Sequence, residues 1–448
     1  MEAGSAGTAG AVIASGAQAL HRLLMPCEAP ELDAASGDGP PAWLTAPAGW
    51  RVLARPRFLA PQGEELASFE LEGGDSIAAF RDGDGTVRIP FDPDEAYGFF
   101  ISERWRDHAV MPALSAGQLA CYYRVKNLFP RSWLLAARRM LVRWKGLPDF
   151  PDWPLDDNVV QLVRFYALCL LAAADEKELE FRWFWPDRRR AALMLTHDVE
   201  SADGLRLAVE LADVEQERGF RSSFNVVGAQ YPIDYGILRE LDERGFEIGL
   251  HGLHHDRSLF SSRREFERQL PSLRGAAVAL GATGFRSPAT HRVVDWLSEL
   301  PVEYDTTMFH SDPYEPQPGG CCTLWPFHLG PIVELPYTLP QDHTLFTLLR
   351  ERSVETWLRQ ADAIEARFGL VHCLSHPDPG YLGDADKRAF YVEFLDALGE
   401  RHLVWRALPR DIAAWWRRRE TAADTEPGLS RGMMRREGKH AVLEPPTA

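Results

Sequence analysis

The sequence predicts an α/β protein. Its larger part is a parallel barrel of about seven strand-then-helix units, closed or incomplete, and a smaller mixed α+β module precedes it. Three observations carry this. From Arg190 onward, short apolar runs alternate with amphipathic stretches about every 25 to 35 residues. Helical stretches stop at Gly219, Gly245 and Gly281, the residue that tolerates the left-handed turn after a helix. The apolar runs end, one after another, in ionisable residues, as strands of a parallel barrel do at its active face.

Residues 1–45, rich in Ala, Gly and Pro, read as a flexible lead. Residues 46–187 form the accessory α+β module. Arg51–Leu53, Leu66–Leu71, Ile77–Phe80 and Thr86–Ile89 alternate or run apolar between Gly/Asp turns, as short strands do. Helical stretches follow at Pro93–Trp105, Ser132–Trp144 and Val159–Ala174. No catalytic constellation stands out here, so a packing or lid role is expected.

The barrel spans residues 190–416. Strand Ala191–Leu195 leads to helix Gly204–Arg218, strand Ser223–Val227 to helix Tyr235–Arg244, and strand Glu247–Leu250 to helix Ser262–Leu280. Strand Gly284–Arg286 leads to helix Arg292–Leu300, and strand Glu303–Asp305 opens a long excursion. Strand Ile332–Leu335, helix Val354–Phe368, strand Leu370–Leu374, helix Asp386–Leu398, strand Leu403–Trp405 and helix Pro409–Arg418 complete the series. The polar tail, 420–448, is expected to be disordered.

The chain has 448 residues, 45% of them hydrophobic, enough for a large core. A net charge of −16 argues against nucleic acid or an anionic membrane as the main partner. The triplets Arg188–Arg190 and Arg417–Arg419 read as solvated faces. Six cysteines show no C-x-x-C spacing, and Cys169 and Cys373 sit in apolar runs as small hydrophobes. No apolar run is long enough to span a bilayer and the N-terminus does not resemble a secretory signal, so a cytoplasmic protein is expected; the oligomeric state is left open.

The chemistry lies at the strand ends. The first strand runs into Thr196-His197-Asp198-Val199-Glu200, where Asp198 and Glu200, two apart, face one site. Carboxylates aimed at one point repel unless a proton or cation lies between them. The third strand runs into H-G-L-H-H-D, with His251 and His255 four apart, expected on one helical turn and presenting two imidazoles on one face. With one carboxylate they make a His-His-carboxylate set of the kind that holds catalytic Zn²⁺ and related divalent ions. His254 is the second-ranked ligand. One of Asp198 and Glu200 would then bind metal while the other takes a proton from an activated water. His376, before Pro377, is placed to act as an acid. Arg286 would orient the base carboxylate, Asp305 would hydrogen-bond His376 or substrate, and His197 is expected to pack within the strand layer.

T-H-D-V-E, H-G-L-H-H-D, R-S-P, Y-D-T-T and L-S-H-P, in this order across residues 190 to 416, resemble the motifs of the polysaccharide deacetylases of carbohydrate esterase family 4, the nodulation-type deacetylase domain. The resemblance implies a distorted (β/α)7 barrel, a divalent metal (Zn²⁺, with Co²⁺ as an alternative), and hydrolysis of N-acetyl groups on carbohydrate. It implies Asp198 as base, His251 and His255 as metal ligands, Arg286 as tether of the base and His376 as acid. Three positions depart from the pattern: Val199 stands where an aspartate is usual, which moves the metal carboxylate to Glu200; Gly252 replaces Ser/Thr; and Ala289 ends the third motif.

The expected activity is therefore metal-dependent removal of N-acetyl groups from a glycan or sugar precursor, with Trp325, Phe327 and Tyr381 as candidate sugar-stacking residues and Phe309–Thr344 lining or covering the cleft. The rivals are hydrolysis of another non-peptide C–N bond, a formamide or a ureide, and a glycan-binding barrel without turnover.

Overall fold

The computed structural model describes residues 19–27, 29–109, 133, 139, 140, 146–423 and 425–447. The expected helix Ser132–Trp144 lies, but for Trp133, Arg139 and Met140, outside them.

The accessory module begins earlier than composition suggests. Helix α1 (Ala19–Leu24) buries Leu20, Leu23 and Leu24, a three- and four-residue spacing hidden among the small residues around it. Strands β1 (Leu32–Ala34), β2 (Ala42–Thr45), β3 (Arg51–Ala54), β4 (Glu64–Leu71), β5 (Ser76–Arg81) and β6 (Val87–Ile89) form one sheet in the order β1-β6-β5-β4-β2-β3. Within the lead expected to be flexible, residues 19–45 thus supply a helix and two strands; residues 1–18 lie outside the described ones. Helix α2 (Pro93–Ile101) starts at Asp92, whose carboxylate accepts from the amides of Asp94 and Glu95, and a 3₁₀ turn, Arg104–His108, follows. Helix α3 (Asn158–Ala174) and strand β7 (Glu178–Arg182) close the module.

The second sheet is built from β8 (Ala191–Val199), α4 (Ala202–Glu217), β9 (Ser223–Val226), α5 (Tyr235–Glu243), β10 (Glu247–Leu250), α6 (Arg263–Leu280), β11 (Gly284–Phe285), α7 (Val294–Leu297), β12 (Tyr304–Asp305), β13 (Phe327–Leu329), β14 (Ile332–Glu334), a π-helical turn His343–Leu349, α8 (Glu355–Glu365), β15 (Leu370–Ser375), α9 (Ala385–Gly399), β16 (Val404–Arg406) and α10 (Pro409–Thr421). Parallel strands run in the order β14-β12-β11-β10-β9-β8-β15, with β16 beside the first half of β8 and β13 antiparallel on the outer edge of β14. Every residue of β8 is buried, as expected of a strand covered on both faces. Among the described residues β14 and β15 share no ladder. The amides of Thr338 and Leu339 instead donate to the His372 carbonyl at 3.2 and 3.1 Å, so the chain just after β14 joins the two edges.

Two expectations fail on long-range contacts. The tail forms strands β17 (Arg431–Glu437) and β18 (His440–Glu444), which add to β7 as a three-stranded antiparallel sheet and bury Met434, Ala441 and Leu443. Charged residues dominate this hairpin, so its apolar face emerges only once β7 and α3 are there to cover it. Arg419, expected on a solvated face, is fully buried. Its guanidinium donates to the carbonyls of Arg22, Leu23, Arg182 and Trp183 and so joins α10 to α1 and to the end of β7. No described helix is long and apolar enough to cross a membrane.

Candidate metal centre and active site

Strand β8 delivers Asp198 while still paired, with Asn225 of β9 opposite in register. Side chains at paired positions point to the same face, so Asn225 Nδ2 reaches Asp198 Oδ1 at 2.9 Å. Glu200 follows one residue after the strand ends. Its backbone amide donates to Asp378 Oδ2 at 3.0 Å, and the Ser201 hydroxyl donates to the other oxygen. Gly204, in the first turn of α4, lies directly beneath that carboxylate, where a Cβ would collide with it. The loop carrying Glu200 is thereby pinned to the loop after β15.

His251 leaves the end of β10 buried, and Gly252 turns the chain at φ +70, a conformation glycine adopts without strain. Pro288 lies 2.9 Å from where a Cβ would stand. The helical turn expected for His251 and His255 is absent; a loop brings them together instead. The two rings lie 5.3 Å apart. His251 Nδ1 donates to the Arg286 carbonyl at 3.1 Å, which leaves Nε2 with a lone pair, and that buried atom has no hydrogen-bond partner. Gln230 ties the ligand loops together: its side chain accepts from the His255 amide at 2.6 Å and donates to the Glu200 carbonyl at 3.4 Å.

Ligand atoms of Glu200, His251 and His255 all lie within 4.8 Å of one another, and His255 Nε2 is 3.0 Å from Glu200 Oε1. A buried imidazole nitrogen with a free lone pair, facing a carboxylate and a second imidazole, is a donor set suited to a divalent cation. Burial pushes His251 down to about 4, so it is neutral near pH 7, as a ligand must be. Burial raises the Glu200 carboxyl, but His255, His376 and His251 outweigh it and hold Glu200 below the usual carboxylate range. His254 is exposed and borders a cavity of about 610 Å³ that none of Glu200, His251 and His255 lines.

Asp198 Oδ2 lies 3.8 Å from His251 Nε2, and Oδ1 lies 3.7 Å from Arg286 Nε. Burial raises this carboxyl; His251, Arg286 and His376 together pull it below its ordinary value. Because His251 is neutral near pH 7, Arg286 and His376 are the cations that act there. Arg286 is fully buried and fixed on three sides: Nε donates to Thr306 Oγ1 at 3.0 Å, and Nη2 to Thr196 Oγ1 at 2.9 Å and His372 Nε2 at 3.1 Å.

His376 stands across the cluster, its Nε2 3.8 Å from Glu200 Oε1. Nδ1 donates to Asp342 Oδ1 at 2.7 Å, and the backbone amide to Asp342 Oδ2 at 3.1 Å. Burial lowers this imidazole, but Asp342, Glu200 and Asp198 more than reverse that and push it up to about 10. Asp305 is expected to hydrogen-bond His376 or substrate. Asp305 is instead fully buried, accepting from Thr307 and hydrogen-bonded to Glu334; burial raises its carboxyl.

The expected sugar-stacking residues have other positions. Trp325 is 1% exposed, stacks on Phe184 and donates to the Phe368 carbonyl at 3.0 Å, so it belongs to the core. Phe327 is buried as well. Tyr381 is 8% exposed and lies over the His376 ring, centroids 4.8 Å apart. His197 packs as expected, between Ser375 and Glu215. Asn225, Asp342, Gln230 and Asp378 were not singled out from the sequence. Two of them leave a local signal: Asn225 is a lone amide inside an apolar strand, and Asp378 stands just past the strand end that carries His376.

No family model matches the chain, and no curated protein matches it. Among solved structures, a protein from Mycobacterium smegmatis assigned as a polysaccharide deacetylase is 21% identical over 55% of this chain and 97% of its own, with a TM-score of 0.43. The Puue allantoinase is 16% identical over 52% and 92%, at 0.40, and a family 4 carbohydrate esterase from Streptomyces lividans in complex with acetate is 12% identical over 49% and 93%, at 0.32. At such identities and TM-scores the likeness says nothing of this chain's chemistry.

Proposed function

We propose that the chain is a metal-dependent hydrolase that removes N-acetyl groups from a carbohydrate, with Glu200, His251 and His255 as metal ligands. The observation that carries this reading is the unpartnered Nε2 of His251, aimed at Glu200 and His255 with a carboxylate on one side and a protonated imidazole on the other. A divalent ion held by these three, Zn²⁺ or Co²⁺, supplies Lewis-acid polarisation of an acyl oxygen and acidifies a water.

The chain's own groups divide the proton transfers. Asp198, kept ionised by Arg286 and oriented by Asn225, takes a proton at Oδ2 from the attacking water. The water oxygen bonds to the acyl carbon and the C–N bond breaks. His376 delivers its Nε2 proton to the departing nitrogen, so acetate and a free amine leave. Asp342 keeps that imidazole protonated and aimed. Tyr381, covering the ring, limits exchange of the proton with bulk water.

The test is acetate release from a panel of N-acetylated oligosaccharides and nucleotide sugars by metal-loaded protein. Chelation should abolish release, and Zn²⁺ or Co²⁺ should restore it. Full activity after exhaustive chelation removes the metal. Turnover of N-formyl sugars or ureides with none of N-acetyl sugars moves the reading to those bonds, and binding of the panel without turnover of any member makes the chain a glycan-binding barrel.

A further inference from the structure

We infer that Glu103, in the module preceding the barrel, is a positioning residue for the active site and acts on His376 through a buried chain of polar contacts that ends on Gln341, the backbone neighbour of Asp342; this rests on the deacetylase reading above. Glu103 is 5% exposed and grips Arg292, itself 3% exposed, through both carboxylate oxygens, with Nε to Oε2 at 3.0 Å and Nη2 to Oε1. Nη1 of Arg292 donates to the Thr290 carbonyl at 2.9 Å. Ala289 and Thr290 sit at φ 50 and 53, left-handed backbone that is costly for side-chain-bearing residues and persists only where the surroundings enforce it. The Arg292 guanidinium is one such restraint, and this turn directly follows Arg286.

From the turn the contacts continue inward. Thr290 Oγ1 donates to Glu315 Oε2 at 3.1 Å. Glu315 Oε1 accepts from Tyr337 OH at 3.0 Å and from the Gln341 side-chain amide. Gln341 is the residue before Asp342 in the chain, and Asp342 holds His376 through two hydrogen bonds. Tyr337 also lies against the Arg286 guanidinium, 5.8 Å from CZ to ring centroid, so the same hub touches the group that faces Asp198. The module grips the intervening excursion at three further points: Trp105 Nε1 to the Gly320 carbonyl at 3.0 Å, the Asp156 amide to His310 Nε2 at 2.8 Å, and Ser311 Oγ to the Asp152 carbonyl at 2.7 Å. Proton transfer requires geometry held to about 0.5 Å and 10–20°. The segment that carries Asp342 is tied to β15 through Thr338 and Leu339 on the His372 carbonyl, and the module adds a second restraint through Glu315, Tyr337 and Gln341.

The test uses full-length, metal-loaded protein with two variants, Glu103→Gln, which leaves Arg292 without its buried anion, and Tyr337→Phe, which removes one hydroxyl and keeps the ring. Three properties are measured: kcat and KM on the acetylated substrate that wild type turns over best, metal per chain, and amide hydrogen exchange. Both variants should lose about tenfold or more in kcat with KM within about twofold, as misplacement of a catalytic group predicts. Metal content should stay unchanged. Exchange should quicken over 337–342 and 374–378 while 223–226 and 247–250 keep wild-type rates. Exchange changes in Glu103→Gln confined to 98–108 and 286–295, or wild-type kcat in Tyr337→Phe, overturn the inference. If wild type releases no acetate from any substrate, the deacetylase reading fails on its own, and exchange at 374–378 alone then decides whether Glu103 reaches His376. If Glu103→Gln does not fold, Tyr337→Phe decides.

Discussion

Replacing Asp342 with Asn keeps the shape beside His376 and removes the charge. The carboxylate is 2% exposed, and its Oδ1 is 2.7 Å from Nδ1, which places the charge centres about 4 Å apart; at an effective dielectric of about 20 the attraction is about 4 kcal/mol. That corresponds to about three pH units on the imidazole, so a group held at about 10 should fall to near 7. A cation in the ligand cluster lowers the value in both proteins but preserves the separation between them. Since His376 must be protonated to act, the wild-type rate should persist into the alkaline range, while Asp342→Asn should lose rate through neutral pH. At pH 8 an imidazole near 7 is about one-tenth protonated, so the loss should be about tenfold, growing with each further pH unit. The assay is kcat against pH by acetate release, with metal content measured in parallel. If the alkaline limb of Asp342→Asn coincides with that of wild type, His376 is not the acid or Asp342 does not set its proton affinity.

Three further outcomes follow from the same geometry. His255→Ala should lose the bound metal, whereas His376→Ala should retain one metal per chain and lose turnover; retained metal in His255→Ala would remove that residue from the ligand set. Gly204→Ala should be destabilising by about 1–3 kcal/mol in thermal or denaturant unfolding, because its methyl group would meet the Asp378 carboxylate that pins Glu200; an unchanged midpoint would show that the two loops separate freely. Glu247, buried at the start of β10 and accepting from Tyr304 OH and the Arg410 amide, has its carboxyl pushed by burial from 4.5 to about 7. A carboxyl raised on folding contributes stability that is full below about 4.5 and lost as pH rises through about 7, up to about 3 kcal/mol. The melting temperature of Glu247→Gln relative to wild type should therefore rise between pH 5 and pH 8, and a pH-independent difference would mean that Glu247 keeps an ordinary proton affinity when folded.

The alternation of apolar runs with glycine-stopped helices placed the strands of the parallel sheet within a few residues, because burial period and chain-reversing residues are local properties. Polar residues immediately after apolar runs likewise marked Asp198, Glu200, His251, His255, Arg286 and His376, all of which the fold gathers at one end of the sheet. What the sequence could not carry was pairing between distant segments. Asp342 lies 34 residues before His376 in an irregular stretch and meets it only because the chain after β14 crosses to β15. Asp305 stands at a strand end as a functional carboxylate would, yet Glu334 in the adjacent strand captures it. Trp325 looks like an exposed loop aromatic until Phe184 and Phe368 close over it, and the charged tail becomes a sheet only beside β7. Periodicity determines which residues of a segment are buried together, whereas the partner of each buried polar group depends on which distant segment the folded chain brings within hydrogen-bonding distance.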